Sequence, residues 1–508
     1  MNVFIIEKGL IFSVNEFKQK FSNEELIKLK KYYTINTLNP ITNTYIRTSM
    51  VYTFKSDNEN YVQLPKFSIR YLTKKKYIES VSIDLPKFKE REISYIGRSN
   101  KNQITTINYL FDTFFPLQNE HFKGCILKAT AGSGKTFLAM DIISKLKLKT
   151  MIVVPNEYML HQWKELLEEF FPDNTIGCFY GKEKTNGDII VSIINTASML
   201  EEFEIKSKEK INGKIVRSSK TYNFENKILK NIGLMIFDEC HLYVSKQYKQ
   251  IYQRLYSKYT IGLSATPERD DKLHRISELN IGPVVDVHEI PGYEINKTEF
   301  NANVTLLKYR CKDQYATLKM REDGKMIDFH HLLNQIIEDP DRNNIIINKI
   351  IHLINEHNAY IFVFSDRRNH LEILYDLLQK KIKEIQLDAN IQVPELEKNI
   401  ILYGGASSET IDAAKVLSSV IFTTYMYSST GVSIPKMTAM ILCTPRKKKS
   451  TFTQIVGRIF RLGSDLDATR HIVDIVDCKL VVKNGFRERL KVYEERNCVV
   501  FIEDVYAE

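Results

Sequence analysis

Seven cysteines, Cys125, Cys178, Cys240, Cys311, Cys443, Cys478 and Cys498, are scattered through 508 residues, and no two stand as C-x-x-C. An odd, dispersed set argues against a disulfide framework and a zinc site, and for a reducing compartment. No apolar run is long enough to span a bilayer. The opening Met1-Asn2-Val3-Phe4-Ile5-Ile6-Glu7 meets charge too early for a signal peptide, so a cytoplasmic protein with no membrane association is expected. Short repeats and low-complexity tracts are missing too. Charge of one sign is only moderately in excess: 72 basic against 62 acidic residues leave +10, which fits a polyanionic partner without demonstrating one. The length excludes a single core and implies roughly two to four domains.

What is present is centred on Ala129-Thr130-Ala131-Gly132-Ser133-Gly134-Lys135-Thr136. An apolar strand, Cys125-Ile126-Leu127, runs into it, and Leu138, Ala139, Ile142, Ile143 and Leu146 leave it at helical spacing. This is a phosphate-binding loop with Ala129 where Gly often stands. Gly132 and Gly134 let backbone N–H groups close around phosphate oxygens, and the helix start adds its positive end. Lys135 reaches the β/γ-phosphates of ATP, and the Thr136 hydroxyl can hold Mg²⁺.

Residues 1–98 carry strand-like fragments such as Val3–Ile6 and a helical stretch from Glu24 to Lys31. Basic clusters at Lys28, Lys30 and Lys31 and at Lys74-Lys75-Lys76 read either as solvated lysines or as nucleic-acid contacts. From 99 to about 285, helical and strand patterns alternate: a helix from Thr105 to Phe115, strands at Met151–Val154, Ile189–Ile194, Leu234–Phe237 and Thr260–Leu263, and a helix from Tyr158 to Phe171. That alternation predicts a parallel sheet with ligands at the strand carboxyl ends. A second alternation fills 286–508, with helices at Asn343–His357, His370–Lys381 and Thr453–Phe460, and no phosphate loop of its own.

Leu234–Phe237 delivers Asp238-Glu239-Cys240-His241 to a strand end, making Asp238 the Mg²⁺ acid and Glu239 the group that orients or deprotonates water. Two adjacent metal-type residues, Cys240 and His241, lack a partner cluster. Ser264-Ala265-Thr266-Pro267 follows the strand Thr260–Leu263. In the second half, Gln454-Ile455-Val456-Gly457-Arg458-Ile459-Phe460-Arg461 sets two arginines three apart on one helical face, suited to bidentate phosphate contacts.

Together, A-x-x-x-x-G-K-T, D-E-C-H, S-A-T and Q-x-x-G-R-x-x-R resemble the superfamily 2 helicases. His161-Gln162-Trp163, Gly262 to Asp270, Phe364 to Leu371 and Asp474-Ile475-Val476-Asp477 resemble one branch of them. That branch holds the phage recombination helicase of the UvsW type, the poxvirus transcript-release helicase and counterparts in other large cytoplasmic DNA viruses.

The resemblance, which covers about 99 to 495, implies an α/β fold of two tandem RecA-like parallel-sheet lobes behind a small α+β N-terminal domain. The divisions would fall at 1–98, 99–285 and 286–508. It implies ATP and Mg²⁺ as cofactors, closure of the lobes on ATP, and nucleic acid, DNA before RNA, held by phosphate contacts across both. It makes Gln103 the adenine reader, with Lys101-Asn102 in place of the usual Arg-Pro-like lead, and Ser264, Ala265 and Thr266 the coupling motif. His241 joins the catalytic set, and Gln454, Arg458 and Arg461 complete the ATP site.

Gly431 falls in the nucleotide-facing motif Thr430-Gly431-Val432-Ser433-Ile434-Pro435, where Ser433 replaces the usual acid. Arg367 and Arg368 join Lys74, Lys75 and Lys76 as nucleic-acid candidates. Pro445-Arg446-Lys447-Lys448-Lys449-Ser450 resembles an import signal, yet its place between strand and arginine helix favours an exposed loop or a phosphate contact, and a cytoplasmic life over nuclear entry. The branch further implies a monomer, possible packaging in the virion, and contact with transcription or replication machinery.

Overall fold

The computed structural model describes the chain apart from 1, 7–8, 39–44, 57–58, 78–79, 85–87, 119–121, 131–132, 199–202, 212–213, 223–226, 246, 256, 270, 295–300, 321–326, 390–393, 405, 407, 426, 428–433, 447–448, 461–466, 479–482 and 508. Two compact units result, Met1–Ile295 and Asn296–Glu508. None of the described helices is long and apolar enough to cross a membrane.

In the first unit, an eight-stranded sheet runs Glu183–Lys184, Ile176–Tyr180, Ile189–Ile193, Thr150–Val154, Leu234–Asp238, Tyr259–Ser264, Lys123–Lys128, Val284–Asp286. Every pair is parallel except the first. The central strands Thr150–Val154 and Leu234–Asp238 are buried at every position, as a parallel sheet covered on both faces requires. Their apolar runs therefore carry no alternation. Three neighbours in this order, Leu234–Asp238, Tyr259–Ser264 and Lys123–Lys128, end side by side, with Ser264 opposite Lys128 and Asp238 opposite Leu263.

Gly262 is dictated by this closeness. A Cβ there would stand 2.9 Å from the Cys240 sulfur and 3.1 Å from Ile126 Cγ1. The expected helix over 105–115 is an α-helix over Lys101–Asn108, a π-helical stretch over Tyr109–Phe114 and a short turn containing Pro116. Proline, without an N–H, cannot continue a helix there. A two-stranded hairpin, Phe203–Ile211 with Lys214–Tyr222, is inserted before the Leu234 strand.

Residues at the N-terminus form a five-stranded sheet in the order Tyr52–Ser56, Glu59–Leu64, Gly9–Ser13, Asn2–Ile6, Ser80–Asp84, with helices at Val14–Lys20, Asn23–Tyr32 and Ser68–Lys74. Leu10, Phe12, Leu64 and Leu72 belong to the same buried cluster as the large sheet. The Phe67 N–H donates to the Leu279 carbonyl at 3.0 Å, and Lys249 Nζ donates to the Ser49 carbonyl at 2.8 Å. The division at 295/296 thus groups this region with the first sheet.

The second unit is a seven-stranded, all-parallel sheet: Asn399–Leu402, Val420–Thr424, Ile361–Ser365, Ala439–Leu442, Arg470–Asp477, Ala302–Arg310, Val499–Tyr506. Its helix Pro340–His357 starts where Asp339 accepts the Asp341 and Arg342 N–H groups and ends at left-handed Asn358. Ile346, Ile350 and Leu353, at helical spacing, face the core. The Asp474-Ile475-Val476-Asp477 motif has a structural use here. Asp477 takes the Arg342 Nε–H at 2.8 Å, and Asp474 takes that of Arg489 at 2.8 Å, all four side chains buried.

Candidate nucleotide site

The loop after Lys123–Lys128 turns into the helix Lys135–Leu146 at Gly134, which has φ +79°. The conformation requires glycine, and a Cβ there would also stand 2.6 Å from Gln103 Nε2 and displace that side chain. Lys135 Nζ donates to the Ala129 and Thr130 carbonyls at 3.0 and 3.2 Å, folded against its own loop. Ser133 Oγ donates to the Thr130 carbonyl at 2.8 Å, and the Ala129 N–H donates to the Ser264 carbonyl at 3.2 Å. Thr136 opens the helix, half-buried; Ala131 and Gly132 lie outside the described residues.

Gln103 is the third residue of a capping box with Asn100. Its Oε1 accepts the Asn100 N–H at 2.8 Å, while its Nε2 donates to the Gly134 carbonyl at 3.2 Å. The same side chain thus caps a helix and touches the phosphate loop.

At the neighbouring strand end, Asp238 is held at both oxygens. The Glu239 N–H donates to Oδ1 and the Trp163 indole N–H to Oδ2, each at 2.9 Å. Burial pushes the Asp238 carboxyl up to about 6, and the Glu239 charge adds to this, against the Trp163 bond and the nearby Lys135 ammonium. Glu239 sits in the left-handed region, φ +49°, which turns its carboxylate to within 3.3 Å of His241 Nδ1. His241 Nδ1 in turn lies 3.0 Å from Ser264 Oγ, which accepts the Thr266 N–H at 3.1 Å. Ala265 stands between these two positions. His241 and the SAT residues are therefore joined by hydrogen bonds, with the Glu239 carboxylate alongside, next to the lysine loop.

Arg269 closes the back of it. Its Nη1 donates to the His241 carbonyl at 3.1 Å, while Asp271 grips the guanidinium fork at 3.0 and 2.6 Å. Cys240 points into the core against Gly262, away from any ligand set. Among the described residues no group of three His, Cys, Asp or Glu side chains is arranged for a metal. Sequence reasoning quoted Trp163 and Arg269 only as parts of motifs and missed these contacts. The signal available was the single Trp placed at helical spacing from buried Met159, Leu160 and Leu167.

In the second unit, the expected arginine-bearing helix is shorter. It spans Lys449–Val456, and Gly457 ends it; the Arg458 N–H reaches only back to Ile455, so Arg458 lies in a tight turn and is buried rather than on an open helical face. Glycine's poor helix propensity at that point accounts for the stop. Gln454 is on the helix and half-buried; Arg461 and Gly431 lie outside the described residues, as does Ser433.

Arg367 meets His330, while Arg368 stacks 4.6 Å from the Tyr403 ring and donates to the Gly404 carbonyl. Arg446 of the basic loop is tied to Asp366 at 2.8 Å and lies over Tyr425, and Lys449 pairs with Glu495. Lys74, Lys75 and Lys76 are exposed at the end of Ser68–Lys74.

Comparison with known proteins agrees with this geometry. Residues 97–269 match the family model described as "Type III restriction enzyme, res subunit". A protein of African swine fever virus named as an ATP-dependent RNA helicase is 28% identical over 396 residues, 74% of this chain and 69% of that one. A transcript termination protein of Yaba-like disease virus is 25% identical over 423 residues, 77% and 78% of the two chains. Among solved structures, yeast Dbp5 bound to RNA and ADP BeF3 superposes with a TM-score of 0.51 at 15% identity, covering 81% of this chain and 91% of that one, which establishes the RecA-like fold. The chain is thus a helicase/translocase of the superfamily 2 type, similar to ATP-dependent helicases of large DNA viruses.

Proposed function

We propose that this protein couples hydrolysis of ATP, taken as its Mg²⁺ complex, to movement along DNA, duplex or branched, during viral transcription, replication or repair in the host-cell cytoplasm. The observation that carries the reading is the gathering of Glu239, His241 and Ser264 beside Lys135 and Asp238. Lys135 would exchange its two loop carbonyls for β/γ-phosphate oxygens. Asp238 and Thr136 fit Mg²⁺: a carboxylate and a hydroxyl are hard oxygen donors, and each Asp238 oxygen accepts a single N–H, leaving a lone pair. Bound there, the ion supplies neutralising charge on the phosphates.

Glu239 accepts the proton of the attacking water as its oxygen bonds to the γ-phosphorus, and the bond to the β-phosphate oxygen breaks to give ADP and phosphate. Ser264 and Thr266 then feel the change through His241. Gln103 is assigned to the adenine, and Gln454, Arg458 and Arg461 to the phosphate charge that develops during turnover. The exposed Lys74, Lys75 and Lys76, with Arg367 and Arg368, are assigned to phosphate contacts on the track.

DNA is favoured by the resemblance to the branch holding the phage recombination helicase. The name carried by the African swine fever relative favours RNA instead. The test is ATPase stimulation and strand displacement with single-stranded, duplex and branched DNA and with RNA. DNA should stimulate most, Lys135→Ala should lose turnover, and Glu239→Gln should bind ATP without cleaving it. Near wild-type turnover in either variant refutes the site, and stimulation by RNA alone reverses the substrate.

A further inference from the structure

The helix Asn23–Tyr32 is set by a capping box between Ser22 and Glu25 and buries Leu29, leaving Ile27, Lys28, Lys30 and Lys31 exposed. It runs directly into the two-stranded ribbon Thr34–Leu38 and Tyr45–Ser49, in which Asn36 stands opposite Arg47. Strand alternation sends Ile35 into the core and sets Thr34 and Asn36 on the other face. Ile27, Lys30, Lys31, Thr34, Asn36 and Arg47 thereby line one surface depression of about 480 Å³.

Its charge is of one sign. No carboxylate lines it, and Lys30, Lys31 and Arg47 have no ion-pair partner among the described residues. Lys28, one turn away, differs: it is paired with Glu24 at 2.7 Å. Favourable placement at the helix C-terminus accounts for Lys30 and Lys31 but not for Arg47, which comes from the ribbon. Ile27, 67% exposed, gives apolar surface beside the cations.

The depression is mounted firmly. Tyr32, next to Lys31, stacks on Tyr71 at 4.2 Å, and the Arg275 guanidinium lies 4.2 Å from the Tyr32 ring. Arg275 belongs to His274–Asn280, whose first residue accepts the Arg269 N–H at 3.2 Å.

We propose that the Lys30–Lys31–Arg47 depression is a second nucleic-acid site, which grips the sugar-phosphate backbone of a strand with Thr34 and Asn36 as hydrogen-bonding partners. It rests on the reading of the chain as a nucleic-acid translocase. Three converging cations suit successive phosphates, and a backbone-only grip suits an enzyme that must ignore sequence.

The experiment is binding of a short fluorescein-labelled DNA duplex to the full chain without ATP, across about 50 to 200 mM salt. Lys30→Ala/Lys31→Ala/Arg47→Ala should flatten the log K against log salt slope by roughly 2 to 2.7, at about 0.7 to 0.9 per lost phosphate contact. The affinity lost between those salt limits should shrink roughly 15- to 40-fold. All three side chains are exposed, so the fold is retained, and kcat for ATP at saturating DNA should match wild type. Lys28→Ala, on the same helix but ion-paired, should leave the slope unchanged. Wild-type ATPase stimulated by DNA together with an unchanged slope in the triple variant overturns this inference alone. ATPase stimulated by no nucleic acid overturns the underlying reading. Displacement of the duplex by inorganic phosphate at equal phosphate concentration shows a free-anion site and also overturns the proposal.

Discussion

Replacing Trp163 by Phe tests whether a buried indole sets Asp238, the proposed Mg²⁺ ligand. The indole N–H donates to Asp238 Oδ2 at 2.9 Å, and both groups are buried. Phe keeps most of the apolar packing and removes the donor. A hydrogen bond to a charged group contributes about 1.5 to 3 kcal/mol. If all of it serves to hold Asp238 in its working orientation, turnover falls roughly ten- to a hundredfold, at about 1.4 kcal/mol per decade. The KM for ATP should move little, because the loop, Lys135 and Gln103 are untouched.

Trp163 is the sole Trp of the chain, so its intrinsic emission reports on this one bond. Titrating Mg²⁺-ADP into wild-type protein should shift the emission, and Asp238→Asn should abolish most of that shift without any turnover being measured. Turnover of Trp163→Phe within about twofold of wild type would refute the positioning role, since roughly 0.4 kcal/mol is below any buried charged hydrogen bond.

Arg461→Lys keeps the charge and loses the planar fork, so ATP turnover should fall while ATP binding, measured by nucleotide fluorescence, is largely spared. Arg342→Met leaves Asp477 buried and unpaired and should cost about 3 to 5 kcal/mol in denaturant unfolding; adding Asp477→Leu should restore part of it. His370, between Ser365 Oγ and Asn343 Oδ1, is pushed down to about 3 by burial, helped by the nearby Arg342 charge. The unfolded chain takes up this proton near pH 6.5 and the folded one does not, so stability falls as pH drops below about 6.5 and levels off near 3. Thermal melts of His370→Gln should show a shallower acid slope over that window.

The nucleotide-binding half was legible in the sequence because its chemistry is local. A phosphate loop is one strand, one turn and one helix start, so Gly134, Lys135 and Thr136 are read within a few residues of each other. Buried parallel strands are also continuous apolar runs, and Met151–Val154 and Leu234–Phe237 could be placed for that reason, each within one residue of the strand observed. The edge strand Val499–Tyr506 opens on an apolar run, Val499–Ile502, yet is exposed on most of its length and went unread.

Tertiary structure alone decided the contacts that bridge distant segments. Trp163 and Asp238 are separated by 75 positions, and only the neighbouring placement of their elements joins them. Strand order set Ser264 beside the DECH turn, and no periodicity encodes strand order. The arginine helix was overrun because Gly457 can continue or stop a helix, and its surroundings made the choice. The three cations at the N-terminus come from a helix end and a ribbon, 16 positions apart between Lys31 and Arg47. Sequence sets the charge of each, but packing makes them one surface.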